Sequence, residues 1–155
     1  MMATLRLTAL LFLGGGLMIE AYGAPMTQER LHGTLEALAD HVEIQGNMLR
    51  MEVDGTPVIC LTDPQADRMR LISPVRDVEG PDAQEMLAAL KANFHTTLDA
   101  RYAIGGDTLY AAFIHPLSPL TADQVRSAVH QVVEAARNFG TTFSSGDMVF
   151  PGDGY

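Results

Sequence analysis

Residues with the chemistry for metal binding or catalysis are spread through the centre of the chain. His95 and Asp99 stand four residues apart, the spacing that places two side chains on one helix face, where they could hold a metal ion. Cys60, His115 and Asp99 are the residue types of a nucleophile, a base and an orienting acid. One hypothesis is therefore a small metal-dependent or hydrolytic protein that uses His95, Asp99, His115 and Cys60.

The local sequence around these residues favours structural roles instead. The helical pattern that contains His95 ends near Phe94 to Thr97, so the one-turn spacing to Asp99 need not exist in the fold. Cys60 lies in the apolar run Val58-Ile59-Cys60-Leu61, where a buried thiol usually acts as a small apolar side chain. There is no Gly-rich phosphate loop, nucleophile elbow or paired CxxC. The remaining histidines, His32, His41 and His130, are expected on helix surfaces at no ligand spacing. We therefore predict a protein that is not an enzyme and has no cofactor or metal site.

Residues 1–23 have the pattern of a cleavable signal peptide. Met1 to Arg6 gives a short positive start, Leu7 to Ile19 is apolar, and Ala21-Tyr22-Gly23 is a small-x-small exit. The apolar run is shorter than the ~20 residues that span a bilayer, and no cysteine follows it for lipid attachment. We expect cleavage after Gly23, no stable membrane anchor, and a periplasmic or secreted bacterial protein.

Composition narrows the class of partner. Residues 24–155 have the length of a single domain with one core. The formal net charge of −9 argues against nucleic acid or an anionic lipid surface as a partner, because both attract basic proteins. With Cys60 as the single cysteine, no intramolecular disulfide can form, although an intermolecular one remains open.

Hydrophobic periodicity predicts one helix and three strands in the first half of the mature chain. Apolar residues recur at helical spacing from Thr27 to Val42. Alternation of period two then predicts three strands, and Asp54-Gly55 marks a type I′ hairpin between the first two. The predicted strands are Met48 to Asp54, Val58 to Leu61, and Asp67 to Ser73.

The second half is predicted to contain two helices around a hairpin. The helix from Asp82 to Phe94 carries one apolar stripe, made of Ala83, Met86, Leu87, Leu90 and Phe94, which is expected to pack on the sheet. The hairpin turns at Gly105-Gly106-Asp107. Thr121 and Gln124 form a capping box for the last helix, which ends at Phe139-Gly140. The C-terminal end is loop-rich, with a short edge strand at Met148-Val149-Phe150. The order α-β-β-β-α-β-β-α predicts an α+β domain in which three helices pack on a mostly antiparallel five-stranded sheet.

This order, on a small acidic chain, resembles the type III secretion chaperone family, which has the secretion chaperone-like fold. The similarity covers Thr27 to Phe150. The segments that resemble those of the family are Ala92-Asn93-Phe94-His95, Leu98-Asp99-Ala100-Arg101-Tyr102 and Phe113-Ile114-His115-Pro116-Leu117. The resemblance implies a non-enzymatic homodimer that holds extended segments of a client polypeptide. The resemblance does not identify client-binding residues in this chain. The predicted signal peptide also differs from the family, whose members act in the cytosol.

Two predicted strands are apolar on both faces, which indicates an interaction surface. If all the helices cover one sheet face, the other exposes an apolar patch that a monomer seldom leaves open. The candidate residues for the homodimer contact or the client surface are Ile59, Leu61, Tyr110, Ala112 and Ile114. The opposite register gives the alternative set Leu109, Phe113, Val58 and Cys60. If the helices were split across both faces, the patch would simply be core.

Overall fold

The computed structural model describes residues 23–80 and 82–146. The predicted strand Met148-Val149-Phe150 and all but the last residue of the predicted signal peptide lie outside this part of the chain. The described elements are α1 (Gln28–Glu36), β1 (His41–Gln45), β2 (Met48–Val53), β3 (Thr56–Asp63), β4 (Arg68–Asp77), α2 (Ala83–His95), β5 (Arg101–Gly105), β6 (Thr108–Pro116) and α3 (Ala122–Asn138). None of these helices is long and apolar enough to cross a membrane.

The strands form one six-stranded antiparallel sheet with the order β1-β2-β3-β4-β6-β5. The α+β class is confirmed, but the predicted five strands and element order are wrong, because the predicted helix from Thr27 to Val42 took in the first two residues of β1, and the rest of that strand was not predicted. Val42 fits both a helical repeat and an alternating strand, and pairing with Met51 of β2 decides between them. Gly46, at a φ of 62°, makes the turn from β1 to β2.

All three helices pack on the same face of the sheet. α3 contacts β3, β4, β5 and β6, while α1 packs against α3 and α2 against β5. The core lies between these helices and one side of each strand. Its strand residues are Leu49, Met51, Val58, Cys60, Met69, Leu71, Tyr102, Leu109, Ala111 and Phe113. In the described part of the chain, no helix covers the opposite face.

The predicted capping box at the start of α3 is confirmed. Thr121 Oγ1 accepts the Gln124 N–H at 3.2 Å, and Gln124 Oε1 accepts the Thr121 N–H at 2.9 Å. These bonds satisfy two of the N–H groups that a helix start leaves unpaired. The buried stripe of α3 includes Val125, Ala128, Val129, Val132 and Val133. This stripe makes α3 the main cover of the sheet.

The predicted orientation of α2 was wrong. Ala89 and Ala92 face the core, whereas Leu87, Leu90 and Phe94 are 46%, 64% and 63% exposed. Alanines lie on one side of this helix and large apolar side chains on another, so the apolar pattern alone does not select the buried face. The small alanine side chains permit close approach of α2 to β5, and this leaves the large side chains outside.

Candidate binding surface

The predicted contact residues come together on the uncovered face of the sheet. Ile59 and Leu61 on β3 alternate with buried Val58 and Cys60. On β6, Tyr110, Ala112 and Ile114 likewise alternate with core residues. The strand between them adds Ile72, which the sequence analysis missed although it continues the alternation of β4. We call Ile59, Leu61, Ile72, Tyr110, Ala112 and Ile114 the open sheet face.

The strand register gives this face an apolar row, and Arg70 of β4 lies in the next row, between Leu61 and Ile114. Ile59 lies opposite Ile72, and Ile72 lies opposite Ala112, which gives an apolar row across three strands. Arg50 stands opposite Ile59 at one end of the row, and Arg101 stands opposite Ala112 at the other. An apolar row with charged side chains beside it and at its ends suits a protein-binding surface.

Ile114 is the most exposed member of this face, with 58% of its surface accessible. It lines a hollow of about 430 Å³ beside Leu61 and Met69, and another of about 420 Å³ beside Ile72 and Tyr110. The two hollows therefore meet at Ile114 and Arg70, which line both. This arrangement of a protruding side chain between two hollows suits the alternating side chains of an extended polypeptide.

The alternative register is wrong. Leu109, Phe113, Val58 and Cys60 are buried beneath the helices and belong to the core. Burial raises the pKa of the Cys60 thiol to about 12, so this group stays protonated near neutral pH. A buried thiol of this kind is not a nucleophile, because the thiolate is the reactive form.

The four residues considered for hydrolytic or metal chemistry are not gathered in one place. Asp99 and His115 line the same hollow, but neither Cys60 nor His95 is among its lining residues. His95 instead ends α2 and packs edge-to-face against Phe94, with ring centroids 4.9 Å apart. No group of three or more His, Cys, Asp or Glu side chains in residues 23–80 and 82–146 could hold a metal ion.

Two histidines lie in environments that the sequence analysis did not predict. His32 is buried on α1, and its Nε2 has no hydrogen-bond partner among the described residues. Burial lowers the pKa of His32, although Glu36 and Glu29 partly oppose that change. His41 is the first residue of β1 and not part of a helix. Of the three histidines expected on helix surfaces, His32, His41 and His130, only His130 lies exposed on a helix.

A second exposed apolar surface lies on α2. Leu87, Leu90 and Phe94 follow the i, i+3, i+7 spacing of one helix face, and we call them the α2 stripe. Acidic Asp82 caps the start of this helix, while Lys91 and His95 occupy its C-terminal half. The sequence analysis found these apolar residues but assigned them to the core.

Comparison with solved structures identifies the fold. One match is a chain of the HopA1–SchA chaperone–effector complex, with a TM-score of 0.53, 16% identity, and coverage of 74% of this chain and 98% of the other. Another belongs to the Yersinia pestis type III secretion chaperone SycH in complex with a stable fragment of YscM2, with a TM-score of 0.56, 15% identity, and coverage of 74% and 100%. No protein-family model and no curated protein matches the sequence. The described domain therefore has the fold of the type III secretion chaperones.

Proposed function

We propose that this chain is an exported, non-enzymatic, chaperone-like module that acts as a homodimer and binds a client polypeptide on its open sheet face. The observation that carries the proposal is this face itself, where apolar side chains from three adjacent strands lie side by side and no helix of residues 23–80 and 82–146 covers them. Both structural neighbours come from complexes of a chaperone with another protein, which supports a protein-binding role.

The physical case for a client rests on apolar area. Burial of such surface contributes on the order of 25 cal/mol per Å², so a patch spanning three strands can support association. Arg50 and Arg101 at the ends of the apolar row add contacts for acidic or carbonyl groups of the client. The acidic remainder of the protein keeps the complex soluble.

We assign the homodimer contact to the α2 stripe. In a twofold dimer with antiparallel α2 helices, Leu87, Leu90 and Phe94 of one copy meet the same residues of the other. Three side chains are less than the ~800 Å² per partner of a standard interface, so neighbouring exposed residues such as Ile104 on β5 also contribute.

The proposed export is compatible with the start of the folded domain. Met26 is the first buried side chain among the described residues, and its N–H donates to the Ser118 carbonyl at 3.0 Å. Arg30 Nη1 donates to the Pro25 carbonyl at 2.7 Å. Cleavage after Gly23 therefore leaves these contacts in place. Mass spectrometry of protein from the cell envelope should find Ala24 as the first residue, whereas an intact chain in the membrane fraction would contradict export.

The client proposal is tested by charge substitution on the open sheet face. Ile59→Asp should abolish capture of proteins from periplasmic extract while the circular dichroism spectrum stays that of the wild type. Ile44→Asp is the matched control, because it makes the same change at an exposed isoleucine on β1, away from this face. Equal capture by Ile59→Asp and wild type would exclude the open sheet face as the binding surface.

The dimer is tested separately by light scattering. The wild type should have twice the mass of the chain, and Leu90→Asp should be a folded monomer because it places a charge in the centre of the contact. Gln84→Asp, at an exposed α2 position outside the stripe, should remain dimeric. A monomeric wild type would refute the homodimer, and a dimeric Leu90→Asp variant would move the contact elsewhere.

A further inference from the structure

We propose that the C-terminal end of this chain, through residues 147–150, docks in a hollow beside the start of β5. The hollow has a volume of about 370 Å³ and lies between β6 and α3. Its lining residues are Asp99, Arg101, Phe113, Ile114, His115, Leu120, Gln124 and Ser127. The inference goes beyond the proposed function, because it concerns a contact of the chain with itself and does not depend on a client.

The last described residues run along the segment that precedes β5. Thr96 Oγ1 donates to the Phe143 carbonyl at 2.9 Å, and the Ser145 N–H donates to the Thr96 carbonyl at 3.2 Å. Ser145 Oγ then accepts the Leu98 N–H at 2.7 Å. The chain thus advances from Thr96 toward Leu98 as it nears its end. The next residue in that direction is Asp99, which lines the hollow.

This approach is fixed by buried contacts. Ser145 is only 1% exposed, and Asn138 Nδ2 donates to the Ser144 carbonyl at 3.0 Å. The Phe143 N–H also donates to the Asn138 carbonyl at 2.9 Å. Residues 147–150 therefore start from a defined point beside the hollow. Four extended residues span at most about 14 Å, which is enough to cross a hollow of this volume.

The charge of the hollow at this point is complementary to the residue that enters it. Arg101 Nη1 donates to the Leu98 carbonyl at 2.8 Å and to the Ala100 carbonyl at 2.7 Å, so its guanidinium lies close to where Ser145 contacts the chain. Arg101 forms no ion pair within the described residues. Asp147 follows Ser145 by two residues, so its carboxylate reaches this guanidinium and accepts a charge-assisted hydrogen bond.

The apolar part of the lining suits the residues that follow. Met148-Val149-Phe150 are apolar, and in an extended chain the first and third of them project to the same side. On that side they meet Phe113 and Leu120 at the hollow's apolar surface. Pro151-Gly152 comes next, a dipeptide typical of a turn, and ends the docked segment. Because Ile114 lines the hollow as well, the docked segment lies next to the open sheet face.

The test uses tryptophan fluorescence, because the sequence contains no tryptophan. Phe150→Trp in the full mature protein should emit at a shorter wavelength than the same variant in guanidinium chloride. Acrylamide should quench this emission less than that of Tyr155→Trp, which places the reporter beyond the turn. Equal quenching of the two variants would overturn docking.

Further changes in the Phe150→Trp protein identify the hollow as the docking site. Asp147→Asn should increase quenching, whereas Asp153→Asn, beyond the turn, should not. Ser127→Phe fills the hollow from an exposed α3 position and should also increase quenching, unlike His130→Phe at an exposed α3 position outside the hollow. Circular dichroism checks that each variant is folded, and Asp147→Asn leaves the described domain unchanged. Quenching that responds to neither Asp147→Asn nor Ser127→Phe would exclude this hollow.

Dilution separates docking within one chain from exchange between two copies. The measurement is made with Leu90→Asp added, so that the proposed α2 contact does not hold two copies together. Protection of the reporter in Phe150→Trp should then be independent of protein concentration. Protection that is lost on dilution would mean that the segment enters the hollow of a second copy, and this would overturn the intramolecular contact.

Discussion

Gln131 on α3 accepts the backbone N–H of Asp99 at 2.8 Å, a contact across 32 residues of sequence that determines where β5 can begin. The same side-chain oxygen accepts the N–H of Ala100, and Gln131 is itself buried. One amide thus satisfies two backbone donors that would otherwise be paired in a longer strand. The shape of the sheet edge depends on this single polar side chain.

We predict that Gln131→Leu lowers the free energy of unfolding by about 2–4 kcal/mol, because two backbone donors lose their acceptor. Urea denaturation followed by circular dichroism measures the change. His130→Leu, at the exposed neighbouring position, should change stability by less than about 0.5 kcal/mol. Equal stability of Gln131→Leu and wild type would mean that water or another group replaces the amide.

The packing of α2, with alanines facing the core and large apolar side chains exposed, gives a second prediction. Ala89→Leu should destabilise the protein by about 1–3 kcal/mol, because it inserts a larger side chain where α2 approaches the core. Leu90→Ala removes a larger side chain but should cost little in monomer stability, since Leu90 is mostly exposed. The comparison is made in a Leu87→Asp background, so that dimer dissociation does not contribute to the measured unfolding. The reverse ranking would restore the orientation predicted from sequence.

The third prediction concerns the reactivity of Cys60. Since burial raises the pKa of its thiol to about 12, the folded protein should react with a disulfide reagent such as dithiobis(nitrobenzoate) only on the timescale of unfolding. In guanidinium chloride the same thiol should react at once and with a stoichiometry of one per chain. Rapid labelling of the native protein would contradict the core position of Cys60.

A fourth prediction follows from His32. Burial lowers the pKa of His32 in the folded state, so the unfolded state binds more protons as the pH falls through its own pKa of about 6.5. The contribution of neutral His32 to stability is present above that pH and is lost as the pH falls toward the folded-state pKa. Urea titrations from pH 7.5 to 5 should show this loss.

His32→Leu should remove that part of the pH dependence, whereas His130→Leu should keep it, because His130 is exposed. Parallel stability curves for the wild type and His32→Leu across this range would show that His32 does not cause the acid sensitivity.

Local signals in the sequence determined the features that involve neighbouring residues. Thr121 and Gln124 cap α3 as predicted, and the Asp54-Gly55 turn has the predicted positive φ at both residues, 48° and 76°. The alternation in β3 and β6 correctly separated Ile59, Leu61, Tyr110, Ala112 and Ile114 from the opposite face. These features could be predicted because caps, tight turns and strand alternation depend on contacts only a few residues apart.

Tertiary structure alone decided which of two locally equivalent arrangements forms. Val42 joins a sixth strand because β2 supplies its hydrogen-bonding partners, although its spacing also suits a helix. α2 presents Ala89 and Ala92 inward because close packing against β5 admits only small side chains, a choice that a helix with apolar residues on two sides cannot make by itself. The open sheet face exists because all three helices pack on the other side. β5 begins only at Arg101 because Gln131 binds the residues before it. Each of these outcomes depends on contacts between residues far apart in sequence, and periodicity within one segment does not encode them.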